Sequence, residues 1–392
     1  MIRIPSARVL VNACIPGIAI GFLVVGALPP RSYHQDVLQP YLMARALRSG
    51  ADLYAPVDEL SSRYLPMAGE KLPHPSPYPP IVALLSLPAA FLPFPLLPVL
   101  LLSASVLALL AIGHALGLGL RSTLMWLAWP PVWCVLYLGQ IELLILAVAM
   151  LAWAAADSGR DARAGLWLGT ITSIKLYPAF FLLPFLLRRR TRIVVTAVTV
   201  FGFCQMINLS IVGFSGLLRY YGEILPAVSA RYVTMGLNSS PYAALLRLFG
   251  GASDVAPLFA APQLVLPIAI IISGLALGAL SRLAPRAAPL SLLVALPTVW
   301  YYYAALALPQ VAALLHSNVR RLALAAMIGA SIVLPLVNLV LLPLIRVLQT
   351  LGMPPPPMAL LLSIQPAALV GLLILFLCSQ SDSAGIDHGP TL

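Results

Sequence analysis

The stretch "AGLWLGTITSIKLYPAFFLLPFLL", residues 164–187, decides the fold class of this chain. Its only charge is Lys175, and it is long enough to cross a bilayer, which takes about 20 apolar residues. Basic segments flank it at residues 159–163 and 188–192. Because Lys and Arg of short loops collect on the cytoplasmic side, we expect both flanks there. The stretch therefore predicts a short membrane hairpin that turns at Lys175 and Pro178, not one complete span.

Apolar runs of this kind recur along nearly the whole chain of 392 residues, of which 61% are hydrophobic and 9% charged. Soluble domains carry about a quarter charged residues. The composition thus predicts an all-α polytopic membrane protein of about 12 transmembrane helices. We expect one integral domain, residues 1–378, and a short polar cytoplasmic tail, residues 379–392. The net charge of +11 is interpreted as membrane topology, not as nucleic-acid binding.

The distribution of charge predicts the order of membrane segments. With the amino terminus in the cytoplasm, residues 9–28 form an uncleaved first helix and residues 30–78 an outer loop. Residues 79–94 are apolar but short and Pro-broken, which favours a re-entrant or half-buried helix. Residues 214–260 are expected to form a second long outer loop. The four cysteines show no CxxC spacing, so neither a metal site nor a disulfide framework is predicted, and no cofactor is expected.

The first outer loop contains a segment with helical spacing, "RSYHQDVLQPYLMARALRSG", residues 31–50. Its apolar residues share one face and Gly50 is a natural stop. We expect an interfacial helix whose Arg45 reaches toward phosphates. Asp36 lies near its start, where an Asp can simply cap the helix.

Further polar groups are predicted at the same outer ends of the spans: Gly139, Gln140 and Glu142 in "LYLGQIELL", Lys175 and Tyr177 in "SIKLYP", and Trp300–Tyr303 in "TVWYYY". A charge at membrane depth costs roughly 2.5–3.5 kcal/mol, so Lys175 is a functional candidate. Glu142 can equally be its structural partner, and the aromatic residues can form an interfacial belt. Together with Asp36 the pattern predicts an outward-facing reaction centre with one acidic base and a cationic anchor.

Four segments occur in an order that resembles glycosyltransferase family 87 of the GT-C superfamily. They are "HQDVLQPYLMARALRSGADLY", "PHPSPYPPIVALLSLPAAFLP", "LGQIELLILAVAMLAW" and "RAGLWLGTITSIKLYPAFFLLPFLLRRR". The resemblance covers about the first 190 residues and is looser afterwards. The best-known members of that family are polyprenyl-phosphate-mannose-dependent α-mannosyltransferases. Where these often carry His after a Trp, this chain has Trp300, Tyr301 and Tyr302.

The resemblance implies a GT-C-type bundle and an inverting transfer of a hexose, expected to be mannose, from a polyprenyl-phosphate sugar to a lipid or glycan acceptor. Asp36 corresponds to the family's general base, and Lys175 to the Lys of its short hairpin. We expect the donor phosphate to be bound by Lys175, Arg45, Arg219 and Arg231. The sugar or acceptor is expected to contact Tyr33, His34, Gln140, Glu142, Trp300 and Tyr302.

Two other classes of function remain open at this point. A lipid or glycolipid transporter or flippase would predict paired polar groups at mid-membrane and an internal repeat, whereas here the polar groups cluster toward one face. An envelope polymerase or ligase could use the same outward site. Without a P-loop or dinucleotide fingerprint, a nucleotide-sugar donor is disfavoured. We expect a multi-pass protein of the plasma (inner) membrane, in contact with membrane lipids and not with nucleic acid, with its site on the extracytoplasmic side.

Overall fold

The computed structural model describes residues 35–65, 72–233, 235, 238–250, 257–282, 287–317, 319–335 and 358–383. Apart from one isolated bridge between Asn238 and Trp300, regular structure in these ranges is helical. The helices are α1 Gln35–Ser49, α2 Val57–Tyr64, α3 Pro80–Leu85, α4 Leu96–Ala115, α5 Leu120–Met125, α6 Pro130–Leu138, α7 Glu142–Asp157, α8 Asp161–Ile174, α9 Leu183–Leu187, α10 Thr191–Arg219, α11 Leu225–Val233, α12 Pro241–Leu245, α13 Val265–Arg282, α14 Ala288–Ala295, α15 Leu308–Leu315, α16 Arg320–Pro335 and α17 Met358–Ser383.

The all-helical class is confirmed, but the number of about 12 membrane-crossing helices is not. By length and composition, three helices in the described ranges can cross a membrane: Leu96–Ala115, Thr191–Val233 and Leu362–Ser379. A fourth span is possible if α6 and α7, which meet at an angle of 113°, count as one. The predicted first helix, residues 9–28, lies outside the described residues, as does the end of the predicted tail beyond Ser383.

The two segments predicted to be incomplete spans are both broken helices. Residues 79–94 contain α3 and a 3₁₀ turn, Leu87–Phe91. The six residues of α3 rise only about 9 Å, far less than a bilayer. Within residues 164–187, α8 ends at Ile174 and Lys175 is extended, at φ −135° and ψ 139°. The helix therefore ends at the predicted place.

The second outer loop, predicted over residues 214–260, would begin directly after Gly213, where the helical conformation of α10 is interrupted; its position outside the membrane stays a prediction. After Gly213, where φ is 70°, α10 continues to Arg219 and passes through a π-helical turn, Tyr220–Ile224, into α11. Tyr220 in this helical stretch is 1% exposed, and its ring packs at 5.4 Å from that of Tyr54.

The described chain divides into two compact units. The first unit contains the described residues up to Ala179 together with Thr191–Val228, and the second contains Phe180–Arg190 and the described residues from Ser229 onward. In the first unit, α1 packs against α2, α3 and the 3₁₀ turn that follows α3. Its predicted apolar face is buried, and Gly50 stops the helix at φ 68°, as the sequence predicts.

A close contact between α8 and α10 fixes the end of α8 within the first unit. Gly165 and Gly169 lie one turn apart on α8, and a Cβ on them would come within 2.4 Å of the Ile193 oxygen and 2.6 Å of the Ala197 oxygen, respectively. Two glycines spaced by four residues let helix backbones approach closely, as in membrane helix pairs. The contact holds the helix that ends immediately before Lys175.

Candidate functional site

Four polar side chains of the first unit form one continuous hydrogen-bonded chain. Asp36 Oδ2 accepts from Gln140 Nε2 at 2.6 Å. Gln140 Oε1 accepts from Lys175 Nζ at 2.8 Å, and Lys175 Nζ also donates to Glu142 Oε1 at 2.6 Å. Residues more than 100 positions apart in sequence are thereby brought into contact. We call Asp36, Gln140, Lys175 and Glu142 the polar chain.

Asp36 lies in the first turn of α1 and is partly accessible. Its Oδ1 accepts a second amide hydrogen bond, from Gln39 Nε2 at 3.2 Å. Burial disfavours the charged carboxylate and raises the pKa of Asp36 to about 6, although the hydrogen bond from Gln140 and the charge of Lys175 act in the opposite direction. Glu142 adds to the rise because it is a like charge. A carboxyl with such a pKa can exchange a proton near neutral pH.

Gln140 reaches Asp36 because the chain turns sharply between α6 and α7. Gly139 ends α6 in the left-handed conformation, at φ 69° and ψ 42°, which a glycine adopts without steric cost. The Gln140 backbone N–H then donates to the Val135 oxygen at 2.9 Å. This closing turn places Gln140 at the elbow between two helices that meet at 113°.

Lys175 and Glu142 form a buried ion pair, with side-chain exposures of 11% and 0%. Glu142 is thus the partner of Lys175, which is one of the two roles that the sequence leaves open for it. The other carboxylate oxygen, Glu142 Oε2, is buried and has no hydrogen-bond partner among the described residues. Such a pair is stable only while both members are present, because a buried single charge is costly.

Tyr78 completes the surroundings of Lys175, and local sequence patterns did not identify it. Its ring centre lies 5.6 Å from Lys175 Nζ, within the range of a cation–π contact. The loop that carries it is fixed at two points. Tyr54 Oη donates to the Tyr78 oxygen at 3.1 Å, and the Ile81 N–H donates to Asn208 Oδ1 at 2.6 Å. Gln39 was also missed, although its position three residues after Asp36 could have indicated it.

Two of the three predicted phosphate-binding arginines contact other side chains in the structure. Arg219 forms an ion pair with Asp52 at 2.9 Å, and both side chains are about half exposed. The Arg45 guanidinium lies 5.6 Å from the centre of the Tyr64 ring. Arg231 is exposed on α11 and belongs to the second unit. Tyr33 and His34, two of the predicted sugar-binding residues, lie outside the described residues.

Trp300 and Tyr302 are part of an aromatic group in the second unit. Their rings are nearly parallel, at 5° and a centroid distance of 6.2 Å, and Trp300 also contacts Tyr232 at 5.0 Å. Asn238 supports this group, because its Oδ1 accepts from the Val299 N–H at 2.9 Å. Trp300 is partly exposed and Tyr302 is buried.

In the part of the chain that the structure describes, His, Cys, Asp and Glu form no group of three able to hold an ion. The polar chain within the first unit consists of a carboxylate, a carboxamide and an ion pair. Side chains of these types can transfer protons and stabilise charge.

Apolar helices long enough to cross a membrane define a helical membrane protein, and its first unit holds a partly accessible carboxylate at the end of the polar chain. The sequence model of Glycosyltransferase family 87 matches residues 77–309, more than half of the chain. The chain belongs to this family and is a membrane glycosyltransferase. Neither a curated protein nor a solved structure matches it.

The family match confirms the resemblance to glycosyltransferase family 87, but over a different range of residues than expected. The match does not include residues 1–76, although we expected the first 190 residues to carry the likeness. Gln140, Glu142 and Lys175 lie inside it, whereas Asp36 precedes it. The assignment of Asp36 therefore depends on its contact with Gln140 and not on the matched residues.

Proposed function

We propose that this glycosyltransferase moves a hexose, mannose in the first instance, from a polyprenyl-phosphate sugar to a hydroxyl group of a lipid or glycan acceptor, with inversion. One observation carries the proposal. Asp36 is a partly accessible carboxyl group with a pKa of about 6, and the amides of Gln39 and Gln140 hold both of its oxygens. This is the arrangement that a general base needs.

In the proposed reaction, the acceptor hydroxyl donates its proton to the Asp36 carboxylate. The hydroxyl oxygen forms a bond to the sugar C1 from the side opposite the phosphate. The bond between C1 and the phosphate oxygen breaks, and its electron pair leaves with the polyprenyl phosphate. Each oxygen of an ionised carboxylate can accept two hydrogen bonds, so the substrate hydroxyl can approach without displacing either amide.

The leaving phosphate requires nearby positive charge, for which we propose Lys175, Arg45, Arg219 and Arg231. The ion pair of Arg219 with Asp52 is half exposed, and exposed pairs contribute little stability. A phosphate can therefore replace Asp52 at low cost. Lys175 already forms an ion pair with Glu142. We therefore propose that Lys175 stabilises the phosphate by electrostatic attraction from nearby.

For the sugar and acceptor we propose contacts from Tyr33, His34, Trp300 and Tyr302. Gln140 and Glu142 were expected to join them, but they are 4% and 0% exposed and their side chains contact Asp36 and Lys175. The partly exposed ring of Trp300 is suited to stacking on a sugar face. We propose that the enzyme lies in the plasma membrane with Asp36 on the extracytoplasmic side.

The proposal is tested by transfer of radiolabelled hexose from polyprenyl-phosphate mannose, glucose and galactose, supplied to membranes that contain the protein. We expect a labelled lipid or glycan product from the wild type and none from Asp36→Asn at equal protein abundance. Asp58→Asn is the matched control, because the Asp58 carboxylate accepts a hydrogen bond from the Glu59 N–H in the first turn of its own helix. Full transfer by folded Asp36→Asn protein would remove Asp36 as the base, and movement of label without a product would indicate a flippase.

A further inference from the structure

The orientation of the Gln140 carboxamide is determined by its neighbours. A Lys ammonium has only hydrogen-bond donors, so the Gln140 atom 2.8 Å from Lys175 Nζ is Oε1. The amide nitrogen of Gln140 therefore points to Asp36 Oδ2, at 2.6 Å. The choice between oxygen and nitrogen, which is often ambiguous for a Gln, is settled here by chemistry.

Lys175 is itself held in place and cannot exchange partners freely. Glu142 Oε1 accepts from its ammonium at 2.6 Å, and Glu142 is completely buried. The ring of Tyr78 lies against the same ammonium. The ion pair therefore fixes the Gln140 oxygen, and the charge of Glu142 acts on Asp36 in the direction opposite to that of Lys175.

From this geometry we infer that Gln140 is a positioning residue for Asp36: Lys175, held by Glu142, orients the Gln140 amide, and the amide orients the carboxylate and keeps it ionised. This inference rests on the proposed function of Asp36 as the base. It gives Gln140, Lys175 and Glu142 a shared task that differs from contact with the sugar or the phosphate. Gln39 supports the second oxygen of the same carboxylate from its own helix.

Among the described residues, the groups that face Asp36 are Gln39 on α1, Gln140 and Glu142 at the elbow, Lys175 after α8, and Tyr78. Gln140 is the strongest of those that favour the ionised form. A substitution that removes its donor therefore weakens the base in a defined direction, because the protonated form of Asp36 becomes the favoured one.

The experiment replaces Gln140 by Met, which has a similar length and no donor, and by Glu, which can still accept from Lys175 but cannot donate as an ionised group. Two measurements follow: the pH dependence of hexose transfer, and an infrared titration of the Asp36 carboxyl band, assigned by its loss in Asp36→Asn. We expect transfer at neutral pH to fall by about ten- to hundred-fold, since the lost hydrogen bond is to a charged group. The titration midpoint should rise by about one pH unit in Gln140→Met, and by more in Gln140→Glu, where a second carboxylate beside Asp36 adds like-charge repulsion.

Gln205→Met is the matched control, because Gln205 accepts from Asn208 and Tyr221 and does not contact Asp36. In Gln205→Met, the titration midpoint of Asp36 should equal that in the wild type. An unchanged midpoint in both Gln140 variants would overturn the positioning role, whatever happens to transfer. If instead the midpoint shifts but Asp36→Asn still transfers sugar, the positioning contact stands and the proposed function fails. If Gln140→Met does not fold, Gln140→Leu, which also lacks a hydrogen-bond donor and adds no charge, takes its place.

Discussion

Removal of the Lys175 charge gives the sharpest test of the polar chain. In Lys175→Met, the Glu142 carboxylate remains in a site with no solvent exposure. At the observed N–O distance of 2.6 Å and an effective dielectric constant of about 20, the lost attraction is roughly 6 kcal/mol. Part of this is regained because the ammonium no longer has to be desolvated. We therefore expect a loss of about 3–5 kcal/mol of stability, as for other buried pairs that lose one member.

A double variant distinguishes the loss of the Lys175–Glu142 ion pair from other effects of Lys175→Met. Lys175→Met combined with Glu142→Leu removes both charges, and an apolar replacement of a buried pair is often neutral or better. We expect the free energy of unfolding of the double variant to lie within about 1 kcal/mol of that of the wild type. It should nevertheless transfer sugar poorly, because the Gln140 oxygen has lost its donor.

The measurement is the free energy of unfolding in mixed detergent micelles, followed by fluorescence. Arg219→Met is the comparison, because the Arg219–Asp52 pair has the same chemistry but is about half exposed, and its loss should change stability by no more than about 0.5 kcal/mol. Equal stability of Lys175→Met and the wild type would refute the reasoning. The same holds if the double variant is no more stable than the single one.

Three further predictions follow from the structure. Transfer activity should fall as the pH drops through about 6, because Asp36 has a raised pKa and is lost as a base when it takes up a proton; a flat pH–rate profile between pH 5 and 7 would contradict this. Arg247→Met should destabilise the protein by roughly 3 kcal/mol, since its buried guanidinium donates to the backbone oxygens of three residues, whereas the exposed Arg320→Met should have little effect; thermal unfolding of both tests it. Gly139→Ala should cost about 1 kcal/mol or more at φ 69° and lower transfer by displacing Gln140; unchanged stability and transfer would show that the left-handed turn is dispensable.

Local sequence patterns predicted the parts of the fold that depend on short-range chemistry. The helix that ends at Gly50 and the helix end just before Lys175 are both in the structure, because glycine stops and membrane-depth charges are visible in a few consecutive residues. The same patterns gave no indication of the helical structure over residues 214–233, where Tyr220 is buried. Tyr220 packs against Tyr54, which is far from it in sequence. No local stretch of sequence contains both residues, so local patterns could not predict this contact.

The candidate site was predicted in part for the same reason. Asp36, Gln140 and Lys175 were identified as polar groups in apolar surroundings, but their connection was not. The hydrogen bond between Asp36 and Gln140 joins residues 104 positions apart in sequence. Gln140 donates in this bond because its amide oxygen already accepts from Lys175. Tyr78 was missed because a Tyr in a Pro-rich loop has no pattern of its own. Its position over Lys175 depends on Asn208 and Tyr54, which hold the loop.

The pairing of Glu142 with Lys175 has a consequence for biosynthesis. Glu142 begins α7 and Lys175 directly follows α8, and these consecutive helices pack against each other around a tight turn. On either helix alone the charge would be unpaired in apolar surroundings, at a cost of several kcal/mol. Together they form a hairpin whose charges cancel at that level. The pair therefore favours co-translational entry of both helices as one unit, so that the carboxylate and the ammonium meet before the rest of the enzyme has been made.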